Sequence, residues 1–287
     1  MKKIGIFLSI LSVIVISCED ILNVSFSSNS EKKLVVEGVI STDTSAHQVM
    51  LSRTGDYFER DTQNMVTDAM VSITDGEKTF LLSENINKPG IYRTDSNVYG
   101  ETGKTYILNM RLNDGTEYSA IESISPLPEI DSIEQSVNYY HMDFSTERYG
   151  YGYDIIYYGP EPEGVGDFYF WNLYINDVLY TDTIFETVFT DDEFVDGNYI
   201  SGFEIFFVAE QDIPADSAEI RLEMYSISEE YYLFLIGLML ETKWRGSPWD
   251  GPPASVPSNI SNGAKGYFRA SDKKTATMIL YKTERIN

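Results

Sequence analysis

Cysteine and histidine are nearly missing from these 287 residues: one Cys, at position 18, and two His, at positions 47 and 141. A single thiol closes no disulfide within the chain and builds no thiolate metal site. Two imidazoles argue against a histidine-rich metal site and against a Ser-His-Asp triad. Positive charge is scarce as well, with 21 Lys and Arg against 45 Asp and Glu and a formal net charge of -24. Such a body repels nucleic acid and anionic lipid surfaces, which excludes DNA and RNA as partners. Neither a Gly-x-Ser-x-Gly elbow nor a His-Glu-x-x-His motif occurs. With so many acidic residues some pair must lie close, so a carboxylate-based hydrolase is the weaker reading. The expectation is a protein that is not an enzyme, with no catalytic residues, no cofactor and no metal site. Aromatic residues are plentiful, at 14% with 21 tyrosines, and a hydrophobic content of 43% is that of an ordinary globular core.

Long apolar runs are absent after residue 16. The one that exists, Ile4 to Ile16, follows Lys2 and Lys3 and is too short to span a bilayer. Val15-Ile16-Ser17-Cys18 resembles a bacterial lipobox, with an aliphatic residue three before the cysteine and a small one just before it. The sole cysteine stands where that chemistry needs it. Residues 1–17 are expected to be a lipoprotein signal peptide, and Cys18 to carry diacylglycerol on sulfur and an acyl chain on its new amine. Several acyl chains on one residue make a nearly permanent tether, since each buried methylene contributes about 0.8 kcal/mol. Residues 18–33 are polar and serine-rich and read as a lipidated flexible linker. Glu19 and Asp20 directly after the lipid site resemble the surface-export signal of Bacteroidota lipoproteins. The expected location is therefore the outer membrane, lipid-anchored and facing the cell exterior.

From Leu34 to Ile124 the apolar period is close to two, the signature of half-buried strands. Seven short strands follow one another, with Asp75-Gly76, Pro89-Gly90 and Asn113-Asp114-Gly115 as turns between them. Residues 34–125 therefore read as an immunoglobulin-like or transthyretin-like β-sandwich, a binding or spacing module. Ser125-Pro126-Leu127-Pro128 breaks the pattern and marks a boundary.

Residues 126–287 read as a second, β-rich domain. Its strands include Tyr153 to Tyr158, Phe168 to Ile175, Ile200 to Val208, Ala218 to Tyr225 and Ala276 to Tyr281, with Asn176-Asp177 at a hairpin turn. Thr190 to Gly197 is the densest acidic loop. It invites a calcium reading, but Phe194 and Val195 fall where an EF-hand needs oxygen ligands, so it reads as a solvated turn. One helix is expected near 228–242, buried against the sheet because Tyr231 to Leu240 is apolar almost all round. Ser226 with Glu229 forms a possible capping box, and Ser228 is the alternative N-cap. After the helix, Pro248, Trp249, Pro252 and Pro253 lie in a loop that cannot be helix or central strand, and it is the expected partner-binding loop. Ser258 to Phe268 reads as a tightly turned segment that wraps a sheet edge and leads into a strand.

Several segments together resemble the DUF4249 family of Bacteroidota outer-membrane lipoproteins. They are the Cys18 lipobox, Leu34 to Ile40 with Val49 to Thr54, Gly90-Ile91-Tyr92-Arg93-Thr94 and Ile130-Asp131-Ser132-Ile133. They continue with Asp191-Asp192 and Asp196-Gly197, Ser226 to Tyr232, and Ser258-Asn259-Ile260 with Asn262-Gly263 and Gly266-Tyr267-Phe268. The resemblance implies an accessory role beside a TonB-dependent outer-membrane receptor in nutrient uptake. A surface adhesin or structural lipoprotein is the alternative. The chain departs from the family at Pro248-Trp249-Asp250-Gly251-Pro252-Pro253, where Pro-Phe-Ala-like residues are frequent.

Overall fold

Alternation of apolar and polar residues becomes strand geometry over much of the described chain. A computed structural model describes residues 32–55, 64–143, 148–243 and 256–283. The first strands are β1 (Leu34–Ser41), β2 (Gln48–Arg53), β3 (Asn64–Met65), β4 (Met70–Thr74), β5 (Thr79–Glu84), β6 (Ile91–Arg93), β7 (Thr105–Arg111) and β8 (Glu117–Ser123). Along β7 the side chains of Tyr106, Leu108 and Met110 are buried while Thr105, Asn109 and Arg111 are exposed. Next come β9 (Ser132–Asp143), β10 (Arg148–Pro160), β11 (Phe168–Ile175), β12 (Val178–Leu179), β13 (Val188–Asp191), β14 (Tyr199–Ala209) and β15 (Ser217–Ile227). A helix, α1 (Glu229–Lys243), precedes the last strands, β16 (Lys265–Ser271) and β17 (Lys273–Tyr281). The fold is mainly β, as expected.

The strands form three sheets. The largest runs β16-β1-β2-β6-β5-β4-β7-β8, with β3 on β2; the second is β14-β10-β9; the third is β12-β11-β15-β17, with β13 on β11. Beneath them lie two cores. One gathers Leu34 to Ile124 with Ile260, Ala264, Phe268 and Ala270. The other runs from Leu127 to Leu280. The change of core falls between Ile124 and Leu127, but the chain does not stay on the far side of it. Segment 256–271 returns to the first core, and β16 pairs parallel with β1 from Val35–Lys265 to Ser41–Ser271. This corrects the expectation that everything after residue 125 belongs to one second domain.

That return needs particular residues. Gly266 has φ +88°, and a Cβ there would stand 2.0 Å from the Val36 carbonyl oxygen, so only glycine fits opposite β1. The outer edge of β16 is satisfied by side chains in place of a strand. The Asn259 side-chain oxygen accepts from the Phe268 N–H at 3.0 Å, its Nδ2 donates to the Phe268 carbonyl at 2.8 Å, and Ser258 donates to the Gly266 carbonyl at 2.7 Å. The same segment closes the edge of β8, where the Ser261 N–H donates to the Ser119 carbonyl at 2.8 Å. The Ser258-Asn259-Ile260 signature is therefore an edge cap, as the wrapping reading had it.

A single residue, Asp272, separates β16 from β17 and so joins the first sheet to the third. It is 6% exposed. Its carboxylate accepts from the Thr42 hydroxyl at 2.7 Å, the Leu127 N–H at 3.0 Å and the Lys273 N–H at 2.8 Å. Its own N–H donates to Ser226 Oγ at 2.9 Å, and Ser226 donates to the Ser125 carbonyl at 2.7 Å. Ser226 is thus spent as the next-to-last residue of β15, which overturns the Ser226–Glu229 capping box. The alternative cap holds: Ser228 Oγ accepts from the Tyr231 N–H at 3.2 Å.

The helix itself also needs correcting. Only Leu235 and Gly237 are buried in α1, and Leu233, Leu238 and Leu240 are 48%, 37% and 50% exposed. It lies on the sheet by one narrow side instead of being enclosed. A run that is apolar all round has no polar face to turn outward, so any one-sided seat leaves leucines in solvent.

Candidate functional site

Where α1 meets β1 and β16 the chain forms a groove of about 980 Å³. Its walls come from Val35 and Val39 of β1, Leu235 and Leu238 of α1, and the Val256-Pro257 segment. Aromatic rings make one end. Tyr231 stacks on Phe234 with centroids 5.6 Å apart, and both meet Tyr267, at 5.0 and 5.3 Å. Charged groups reach the same groove from three positions, Glu37, Lys265 and Arg269, and Gln48 adds an amide. The Arg269 guanidinium lies over three rings, 4.4 Å from Tyr225, 5.0 Å from Phe170 and 5.6 Å from Tyr231. Its Nη1 is buried without a hydrogen-bond partner among the described residues. Ring faces stabilise this cation without neutralising it, so the groove keeps positive charge beside apolar walls. Burial pushes the Glu37 carboxyl above its ordinary value. An apolar cleft with a few convergent polar groups is the form that ligand and partner sites take.

Behind Arg269 lies a buried ionic network. Glu223, 2% exposed, accepts from Lys273 Nζ at 2.9 Å and Arg221 Nη1 at 3.3 Å on one oxygen. The Tyr225 hydroxyl donates to its other oxygen at 2.5 Å. Arg221 also lies 4.2 Å from the Tyr174 ring and 3.2 Å from Asp177. Burial, then the Glu223 charge, holds the Tyr225 hydroxyl far above its ordinary value. Its acid is met by two cations, and the set is structural chemistry.

A second set of acids, two buried and one half-buried, has no such cations beside it among the described residues. One oxygen from each of Glu161, Asp167 and Asp192 lies within 4.8 Å of the others. Glu161 is 5% exposed and Asp192 1% exposed. The Tyr169 hydroxyl donates to Glu161 at 2.6 Å, and the Gly166 N–H donates to both Asp192 oxygens at 3.0 and 3.1 Å. Burial, and after it the neighbouring acids, raises the carboxyl pKa of both Glu161 and Asp167. Three oxygens so placed can take a hard cation or relieve their repulsion by binding a proton. The loop from Thr190 to Gly197 is therefore not a solvated turn throughout, because Asp192 faces inward. Glu161 and Asp167 were missed in the sequence, where they lie more than twenty residues ahead of that loop.

The other sequence-predicted positions fall elsewhere. Cys18 and the loop residues Pro248, Trp249, Pro252 and Pro253 lie outside the described residues. His47 is 3% exposed, its Nε2 pairs with the Val98 carbonyl at 3.2 Å, and it does not line the groove. Among the described residues no helix is long and apolar enough to cross a membrane. The groove residues on α1 and β16 were visible in sequence only as an apolar helix and a strand. What was hidden was that β16 returns beside β1 to make the floor.

Comparison with known proteins adds a family and little else. The model of a family described as "Domain of unknown function (DUF4249)" matches residues 19–277. No curated protein matches the sequence. Among solved structures, the crystal structure of murine CEACAM1b covers 88% of this chain and 99% of its own, at 9% identity and a TM-score of 0.20. A likeness that low carries no argument about the fold or the role of this chain.

Proposed function

The chain belongs to the DUF4249 family, and on that premise we propose that it is a non-enzymatic lipoprotein of the outer membrane. Anchored through Cys18 and facing the cell exterior, it serves as an accessory binding partner of a TonB-dependent receptor in nutrient uptake. In this reading residues 34–125 are an immunoglobulin-like or transthyretin-like sandwich that spaces and presents the groove.

The observation that carries the reading is the groove under α1. Its walls are apolar, its floor is a pair of strands, and one of its cations, Arg269, lies over ring faces with no ion pair to an acid among the described residues. That combination suits capture of a partner or its cargo better than bond chemistry.

Two measurements test it. Mass spectrometry of the mature N-terminus is expected to find a lipid-modified Cys18; an unmodified N-terminus elsewhere overturns the anchor. Purification of the tagged lipoprotein from detergent-solubilised outer membranes is expected to bring a TonB-dependent receptor with it. Leu238→Glu, which places a charge in the groove, is expected to reduce that recovery while the melting temperature changes little. If no such receptor is recovered with the parent protein, or recovery ignores the groove, the partner assignment fails.

A further inference from the structure

Two cations share the groove under α1 without an acid to pair with, in a chain where acids outnumber bases 45 to 21. β16 runs parallel to β1 with Lys265 beside Val35, Tyr267 beside Glu37 and Arg269 beside Val39. Alternate residues of a strand share a face, so Lys265, Tyr267 and Arg269 form one row along the groove floor. Among the described residues, neither the Lys265 ammonium nor the Arg269 guanidinium enters an ion pair or a hydrogen bond. Glu37 is the acid of the same groove, and it pairs with neither. Arg221 shows the usual outcome in this protein, since it reaches both Glu223 and Asp177. Arg269 has rings instead, and its Nη1 is buried among them without an acceptor. The half-buried side chain also lines the groove. Five N–H donors in a planar fork are thus unspent by the described residues, in a setting where an unmet cationic donor is costly.

We propose that the groove binds a small organic acid, with its carboxylate on the Arg269 fork and an aromatic or aliphatic body along α1. The proposal rests on the reading of the groove as a capture site, and names what is captured. Charge complementarity selects the head. A guanidinium matches a planar carboxylate with two parallel hydrogen bonds, and Lys265 adds a second positive charge along the same row. The walls select the body: Leu235 and Leu238 line one side, and the rings of Tyr231, Phe234 and Tyr267 close one end. Size selects a small molecule, because about 980 Å³ is the upper end of small-ligand pockets. The net charge of -24 opposes any anion at a distance. At physiological salt that field is screened beyond about 8 Å, whereas Arg269 meets the carboxylate in contact.

The test uses the full chain, purified from its membrane in a nonionic detergent. Three probes share one aromatic body and differ in the head: 4-phenylbutanoate, 4-phenylbutanol and 4-phenylbutylamine. Their dissociation constants are measured by saturation-transfer NMR titration, against protein-free micelles as the blank. The acid is expected to bind at least about tenfold tighter than the alcohol, and the amine to bind weakest. Two variants locate the site. Arg269→Met keeps an unbranched stem against the rings and removes the fork. Val39→Glu keeps Arg269 and sets an acid in register beside it, so the location does not depend on one variant folding. Each is expected to bring the acid down to the affinity of the alcohol, with alcohol binding unchanged. Equal binding of acid and alcohol by the parent protein overturns the proposal, as does absence of binding by the acid. A preference that survives both variants overturns it too, because the anion is then held elsewhere. Groove-dependent recovery of the receptor without any preference for the acid sinks this inference and leaves the capture reading standing. Preference for the acid with no receptor recovered upholds this inference and sinks only the partner assignment.

Discussion

Two buried glutamates in this protein receive the same hydrogen bond and live in opposite surroundings. Glu223 accepts from Tyr225 at 2.5 Å, and Glu161 accepts from Tyr169 at 2.6 Å. Around Glu223 stand two cations, Lys273 and Arg221. Around Glu161 stand two more acids, Asp167 and Asp192. The first site gives its buried acid two cations, and each cation reaches a further carboxylate, Arg221 that of Asp177 and Lys273 that of Asp43. The second carries unbalanced negative charge in a place water barely reaches, and a proton or a cation is what balances it. A buried carboxylate is therefore not informative by itself; its neighbours decide whether it is scaffold or titrating site.

Glu223→Ala breaks the comparison hardest. It leaves Lys273 and Arg221 without their shared acid in a buried setting, at an expected cost of about 3–5 kcal/mol. The denaturant midpoint at neutral pH measures this. If Glu161→Ala costs as much, the claimed difference between the sites is wrong.

Asp272 is the intermediate case, a buried carboxylate held by neutral donors from Thr42, Leu127 and the backbone of Lys273. Asp272→Ala orphans the Leu127 N–H where the first and third sheets join, and leaves the Lys273 N–H with the Thr42 hydroxyl as its acceptor. The expected loss is about 2–3 kcal/mol. A change in the slope of the unfolding curve, and not only in its midpoint, would show that the two cores had begun to unfold separately.

The sequence made some of this legible and hid the rest for physical reasons. Strand alternation is local, so β7 and β11 could be read directly, and Asn176-Asp177 turns with positive φ at both residues as a two-residue hairpin requires. The carboxylate group is not local. Asp192 meets Glu161 because Gly197 N–H and Asp192 N–H bond back to the carbonyls of Pro162 and Asp167, and no spacing rule announces that. The return of β16 was hidden likewise, since the need for Gly266 arises only from Val36 across the sheet. Ser226 and Ser228 offered two caps of the same grammar, and tertiary contact with Asp272 chose between them. The apolar run of α1 told of a helix but not of a burial face, since a pattern without polarity names no direction.

Glu161→Gln sharpens the comparison with a smaller effect of the opposite sign. Removing one charge from three relieves repulsion, so at neutral pH the variant is expected to match or exceed the parent by up to about 1 kcal/mol. The pH dependence carries the sign. A carboxyl whose folded pKa is raised contributes stability that is fully present below its unfolded value, near 4.5 for Glu161. That contribution is lost as pH rises through the raised folded value. The parent is therefore expected to lose stability as pH climbs above about 4.5, and Glu161→Gln to lose less over the same window. Melting temperatures between pH 4 and pH 8 decide it; parallel curves for the two proteins count against a titrating Glu161.

The smallest expected effect is that of Tyr169→Phe, and it isolates the hydrogen bond that the two sites share. Burial, and then the bond to Glu161, holds the Tyr169 hydroxyl far above its ordinary value, so it remains a donor across the whole range of folding. Its bond favours the charged form of Glu161 and works against the desolvation that raises that carboxyl. Without the donor, the Glu161 pKa is expected to climb further, followed by the carboxyl carbon chemical shift through a titration. At neutral pH the variant is expected to lose up to about 1 kcal/mol. At acid pH the loss shrinks, because a protonated carboxyl no longer depends on an external donor. Tyr225→Phe removes the same bond from a carboxylate that keeps Lys273 and Arg221, so its deficit is expected to reflect the lost bond alone. If Tyr169→Phe left the Glu161 titration unmoved, the hydroxyl would be packing there, and the likeness between the two tyrosine–glutamate pairs would be one of geometry without shared chemistry.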